Sequence, residues 1–159
     1  MIIGVGGLVD LRHNNSDETI AYCGGVFDLL HEGHLDVLSR LHDFGKIAVV
    51  GVASDERVKF RKGSNRPIHN EHTRLSVVDA LKHVDYSFLY PGNVEGYEII
   101  GHYVLGQLKP DFFITSDEVW EEDRSWLADQ GTTLEIIPRY SDEISTTQTI
   151  EKILQTNTP

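Results

Sequence analysis

Two histidines, His31 and His34, stand on either side of Gly33 in the segment Gly24-Gly25-Val26-Phe27-Asp28-Leu29-Leu30-His31-Glu32-Gly33-His34. The segment follows a short apolar, β-leaning run, Thr19–Cys23, and opens an amphipathic stretch, Gly33–Phe44. A strand running into a helix offers free backbone N–H groups and the positive end of a dipole to a phosphate. The glycines let the backbone approach such a ligand closely. Both imidazoles can point into one crevice and donate N–H groups to phosphate oxygens as those gain negative charge. A zinc pair on a helix needs histidines four apart, so the spacing speaks against a metal site. The plainer alternative, two histidines that only hydrogen-bond within a turn, is weakened by the flanking glycines.

Other anion-binding groups lie elsewhere in the chain. The protein has 159 residues and a formal net charge of −11, yet the stretch from Arg57 to Asn70 holds Arg57, Lys59, Arg61, Lys62 and Arg66 and no acidic residue. A basic loop in an acidic protein is either a solvated surface or a local anion site. The overall charge repels nucleic acid at long range, which argues against DNA or RNA as a partner. A small anion needs only the local patch. Further on, Ser145-Thr146-Thr147 precedes the apolar positions Ile150, Ile153 and Leu154, a good helix N-cap sequence that also presents hydroxyls. The apolar runs, such as Ile47–Val52, are too short to cross a bilayer, so no membrane insertion is expected. No basic segment precedes the apolar N-terminal stretch, and one cysteine, Cys23, cannot form an internal disulfide. Both fit the cytoplasm.

The elements that must position these groups alternate along the chain. Lys46–Ala53 is a continuous valine-rich run, the mark of a strand buried on both faces. Asn70–His83 has helical apolar spacing at Leu75, Val78 and Leu81, and Asp85–Tyr90 reads as a strand closed by Pro91-Gly92. Helix over Tyr97–Leu108, strand over Asp111–Thr115, helix over Val119–Gln130, strand over Thr133–Ile137 and helix over Ser145–Gln155 complete the order. The pattern predicts an α/β fold: a Rossmann-like, doubly wound, mostly parallel sheet of about five strands with helices on both faces. Ligands of such sheets bind at the carboxyl ends of the strands. Residues 19–159 read as one domain. Residues 1–18 read as an extension without evident function, in which Met1–Leu11 is a candidate strand and His13–Glu18 a polar connector. Thr156–Pro159 is expected to fray.

The histidine segment resembles the GxFDxxHxGH signature of the cytidylyltransferase-like nucleotidyltransferases. Two more blocks follow in the family's order. Lys62-Gly63, Arg66-Pro67-Ile68, Arg74 and Val84-Asp85 are similar to a KG…RP(I/V)…R…VD block, and Ile144-Ser145-Thr146-Thr147 is similar to the segment that opens the last helix. Together they span roughly residues 20–155. The resemblance implies transfer of a nucleoside monophosphate from a triphosphate to a phosphorylated small alcohol or sugar, with release of pyrophosphate. It implies Mg²⁺ with the triphosphate and a homodimer.

Residue by residue, His31 and His34 would stabilise the transition state and Lys62 would neutralise phosphates. Gly25, Val26, Phe27, Asp28 and Gly33 would shape the nucleotide turn. Arg74 would sit near the nucleotide or the acceptor phosphate, its alternative being a surface arginine. Ser145, Thr146 and Thr147 would bind the outer phosphates. Asp28 is the nearest carboxylate to a metal, its alternative being a turn contact.

Some segments depart from the family's pattern. Arg139 would reach the phosphates by the same resemblance, but Arg139-Tyr140-Ser141-Asp142-Glu143-Ile144 is one residue longer than the Arg-Thr-x-Gly form and lacks its glycine, which leaves the register of Arg139 open. Thr115-Ser116-Asp117 stands where relatives carry a glycine-containing segment near the base. The acidic run from Asp117 to Asp123 reads as a solvated helix start. The FDLLHxGH form leans towards CTP, while the KGxxRPI block looks more like heptose-1-phosphate adenylyltransferases, which use ATP. A non-catalytic nucleotide sensor on the same fold stays open. For a dinucleotide oxidoreductase, suggested by Gly4, Gly6 and Gly7, the third glycine is misplaced and no acidic residue follows at the end of a clear second strand.

Overall fold

A computed structural model describes residues 1–91, 101–116, 121–141 and 144–156. Five strands, β1 (Ile20–Gly25), β2 (Ile47–Ala53), β3 (Tyr86–Tyr90), β4 (Phe112–Thr115) and β5 (Thr133–Ile136), form one sheet in the order β3-β2-β1-β4-β5. Every pairing is parallel, so the fold is the Rossmann-like α/β sheet. The helices are α1 (Leu8–Asn14), α2 (Glu32–Ser39), α3 (Leu41–Phe44), α4 (Asp55–Lys62), α5 (Glu71–Asp79), α6 (Gly106–Leu108), α7 (Glu121–Asp129) and α8 (Thr146–Thr156).

The two-residue period of the strands divides the core. Ile20, Tyr22, Ile47 and Val49 face a cluster with Leu8, Leu11, Val104, Leu108 and Leu127. Their neighbours Ala21, Cys23, Ala48 and Val50 face Val37, Leu38, Leu41, Leu75 and Val78. Helices therefore cover both faces, and β2 is buried along its whole length as its apolar run predicts.

The expected strand over Met1–Leu11 is not formed. Val5–Gly7 is a 3-10 turn leading into α1, because Leu8 and Leu11 lie three apart and bury together on one helix face. Only Ile2 bridges to Ser87, capping the outer edge of β3. The expected helix over Gly33–Phe44 divides at Arg40 into α2 and α3. The basic stretch contains helix α4, not only loop; Ser54 caps it, its hydroxyl accepting from the Arg57 amide at 3.3 Å. Residues 97–100 and 119–120 of two expected helices lie outside the described residues. In the first of those, Gly101–Leu105 forms a π turn ahead of α6. Among the described residues no helix is long and apolar enough to cross a membrane.

Candidate active site

The strand order reverses between β1 and β4, and that switch point opens at the carboxyl edge of the sheet. A cavity of about 430 Å³ lies there. β1 and the turn after it supply Cys23, Gly24, Gly25, Val26, Phe27 and Asp28 to its wall, and the start of α2 supplies His31, Gly33 and His34. Arg61 and Lys62 enter from the last turn of α4, Arg66 from the loop beyond, and Thr115 and Ser116 from the end of β4. Arg139, Tyr140, Ser141 and Ile144 lead to Ser145, Thr146 and Thr147 at the start of α8. Two helix N-termini and four cationic side chains thus share a cavity in which Asp28 is the one carboxylate among the described residues. The field there is positive despite the acidic surface.

The turn that presents the histidines holds two residues in left-handed backbone, Phe27 (φ 53) and Leu29 (φ 47). Such conformations cost of order 1 kcal/mol each for residues with a Cβ and persist where surrounding bonds over-determine them. Asp28, between them, is 1% exposed. Its carboxylate accepts from the amides of Ile68 at 2.7 Å and His69 at 3.0 Å, and its carbonyl accepts from the Thr146 hydroxyl at 2.7 Å. One residue therefore joins the histidine turn to the loop after α4 and to α8.

His31 and His34 stack with ring centroids 3.8 Å apart. A Cβ on Gly33 would sit 3.2 Å from His31 Nδ1, so glycine leaves room for that ring. His34 Nδ1 accepts from the His31 amide at 3.4 Å, which places the proton of a neutral ring on Nε2, free to donate. Burial lowers the His34 pKa to about 4, His31 and Lys62 push it the same way, and Asp28 opposes them. Burial also lowers that of His31. Two stacked rings beside a lysine tolerate each other because both are neutral.

This pKa shift links stability to pH. Below the ordinary value of 6.5 the unfolded chain takes up a proton that folded His34 refuses down to about 4. Stability is therefore full above pH 6.5 and falls as pH drops from 6.5 towards 4. Thermal unfolding across that range should show a shallower fall in His34→Gln than in the parent; equal slopes would contradict the assignment.

Most of the residues singled out from sequence meet in this cavity: His31, His34, Lys62, Gly25, Val26, Phe27, Asp28, Gly33, Arg139, Ser145, Thr146 and Thr147 all line it. Arg74 does not. It is neither at the cavity wall nor on the surface; its side chain is 0% exposed. It donates to the carbonyls of His69 (3.0 Å), Val26 (2.6 Å) and Ala53 (2.7 Å) and to the carboxylate of Asp55 (2.7 Å). Asp117, Glu118, Asp142 and Glu143 lie outside the described residues. Arg61 and Arg66 were not singled out as site residues in the sequence, though both belong to its basic stretch. Two polar atoms at the cavity, His31 Nδ1 and Arg66 Nε, are buried without a hydrogen-bond partner.

A positive cavity at the switch point of a parallel sheet is where such a fold holds an anionic ligand. Residues 22–152 match the family described as cytidylyltransferase-like, and the chain belongs to that family. The bifunctional protein HldE of Haemophilus influenzae is 33% identical over 142 residues, covering 86% of this chain and 28% of that protein. The HldE of Citrifermentans bemidjiense is 32% identical over 146 residues, 90% of this chain and 28% of its own length. The chain thus spans little more than a quarter of these relatives. A lipopolysaccharide core biosynthesis protein from Thermoplasma volcanium shares the fold with a TM-score of 0.60 and 30% identity, over 78% of this chain and 99% of its own. A pantoate-beta-alanine ligase from Francisella tularensis, 14% identical with a TM-score of 0.56, covers 98% of this chain and shares the fold alone.

Proposed function

We propose that the protein transfers AMP from ATP to the phosphate of a sugar 1-phosphate and releases pyrophosphate. The observation that carries this reading is the convergence of Arg61, Lys62, Arg66 and Arg139 with two helix N-termini on one cavity. A triphosphate and a phosphomonoester repel each other, and four cations offset charge of that size. The leaning towards CTP gives way to ATP for two reasons. Relatives at 30% identity or more include HldE proteins and a lipopolysaccharide core biosynthesis protein, and the Lys62–Ile68 block resembles heptose-1-phosphate adenylyltransferases.

In this mechanism an acceptor phosphate oxygen attacks the α-phosphorus in line and pyrophosphate leaves. No covalent enzyme intermediate is needed, since the nucleophile is already ionised. His34 donates its Nε2 proton in a hydrogen bond to an α-phosphate oxygen as charge develops there, and His31 supports it. Ser145, Thr146 and Thr147 bind the outer phosphates at the start of α8. Lys62 and Arg66 neutralise the approaching acceptor. The Asp28 carboxylate is already committed to two amides, so it is poorly placed to ligate a metal. Mg²⁺ would arrive with the triphosphate, held by phosphate oxygens, and would supply charge neutralisation.

Thermal shift with Mg²⁺ and either ATP or CTP tests the base. A ligand at about 100 times its Kd contributes about 2.7 kcal/mol, so ATP should raise Tm by roughly 5–10 °C and CTP by clearly less. Pyrophosphate release should then appear only when a sugar 1-phosphate is added. A larger shift with CTP, or turnover only with an alcohol phosphate, would replace this reading.

A further inference from the structure

We propose that Arg74 is a positioning residue that fixes the spacing between the histidine turn and helix α4 without touching either substrate; this rests on the nucleotidyl-transfer reading. The four acceptors of its guanidinium belong to four separate segments. Val26 is the first residue beyond β1, in the turn that leads to His31, and Ala53 is the last residue of β2. Asp55 is the first residue of α4, whose last residue is Lys62. His69 belongs to the loop whose amides hold Asp28.

The parallel ladder between β1 and β2 ends at Gly25 and Val52. Beyond it the strands part, and their next carbonyls need donors from elsewhere. A guanidinium has five N–H groups in a rigid plane and can serve three carbonyls and a carboxylate at once; an ammonium has three and lacks the span. Helix α5 ties down α4 a second time, because Glu71 accepts from the Asp55 amide at 2.7 Å. His34 and Lys62 therefore stand on backbone that Arg74 joins from beneath. Displacing a reacting arrangement by about 1 Å costs on the order of 100-fold in rate.

Arg74→Lys keeps the charge beside Asp55 but cannot reach every acceptor. Its expected signature is a fall in kcat of roughly 30- to 100-fold with ATP affinity, measured by direct binding, within about threefold. Combined with Lys62→Met, the two losses should be strongly less than additive, since one acts through the other. A direct nucleotide contact would instead raise the Kd for ATP about tenfold or more at unchanged kcat, and a purely structural role would lower Tm at full kcat; either overturns the proposal. Should Arg74→Lys fail to fold, Asp55→Ala tests the same bolt at a position whose side chain is 25% exposed, and unchanged kcat there also overturns it.

One readout needs no substrate. The side-chain NMR signals of His31 and His34 in the free protein should move in Arg74→Lys, and unmoved signals sink the proposal. A wild-type protein that releases no pyrophosphate would count against the nucleotidyl-transfer reading, while these signals would still decide the role of Arg74.

Discussion

His34→Ala should lower kcat by roughly 100- to 1000-fold while nucleotide affinity stays within a few fold. The reason lies in when the hydrogen bond matters. In the proposed ground state the α-phosphate would share its charge with the rest of the triphosphate and would meet the helix N-terminus and the cations around it. As the acceptor oxygen closes in, charge builds on the α-phosphate oxygens, and a neutral imidazole aimed at them gains strength at that moment alone. His34 is set for this: its Nδ1 is occupied by the His31 amide, and its depressed pKa keeps Nε2–H a neutral donor across the physiological range. Steady-state pyrophosphate release, paired with direct ATP binding, measures the two quantities separately. A variant with unchanged kcat and weaker binding would remove His34 from the transition state and leave it a ground-state ligand.

Asp28→Ala should cost about 3 kcal/mol of stability, because it removes two hydrogen bonds to a charged acceptor, those from the partly buried amides of Ile68 and His69. For a chain of this size that is a fall in Tm of roughly 10 °C. Activity should fall as well. The Asp28 carboxylate holds the loop that carries Arg66 and over-determines the left-handed Phe27 and Leu29 on either side. Differential scanning calorimetry gives the first effect, and kcat measured well below the new Tm gives the second. A Tm within about 2 °C of the parent would show that water replaces the carboxylate at little cost.

Sequence and structure agree where burial imposes a period. The valine-rich run Lys46–Ala53 is legible because β2 is covered on both faces, and the turn after β1 is legible because glycine and histidine types cluster there. Helix α4 is not: Val58 is its only buried residue, so no apolar stripe announces it. Helix α1 is obscured by the glycines before it, and only Leu8 and Leu11 anchor it. The position of Arg74 escapes sequence for another reason. Three of its four partners are backbone carbonyls at positions 26, 53 and 69, and no residue type records that a carbonyl lacks a donor. Arg61 and Arg66 stand in a basic stretch where sequence alone does not say which cations turn inward.

The pairing of β1 with β4 also orders events while the chain folds. The Ile20 amide donates to Asp111, 91 positions away, and Thr146 reaches Asp28 across 118. The first half can assemble β1, β2 and β3 with the histidine turn, α4 and the Arg74 bolt from neighbouring segments. The half that carries β4, β5 and α8 must close a long loop to join it, which is slow. Under the proposed function the nucleotide site is complete only once the second half has joined, and a triphosphate bound across that seam would act as a clasp between the two halves.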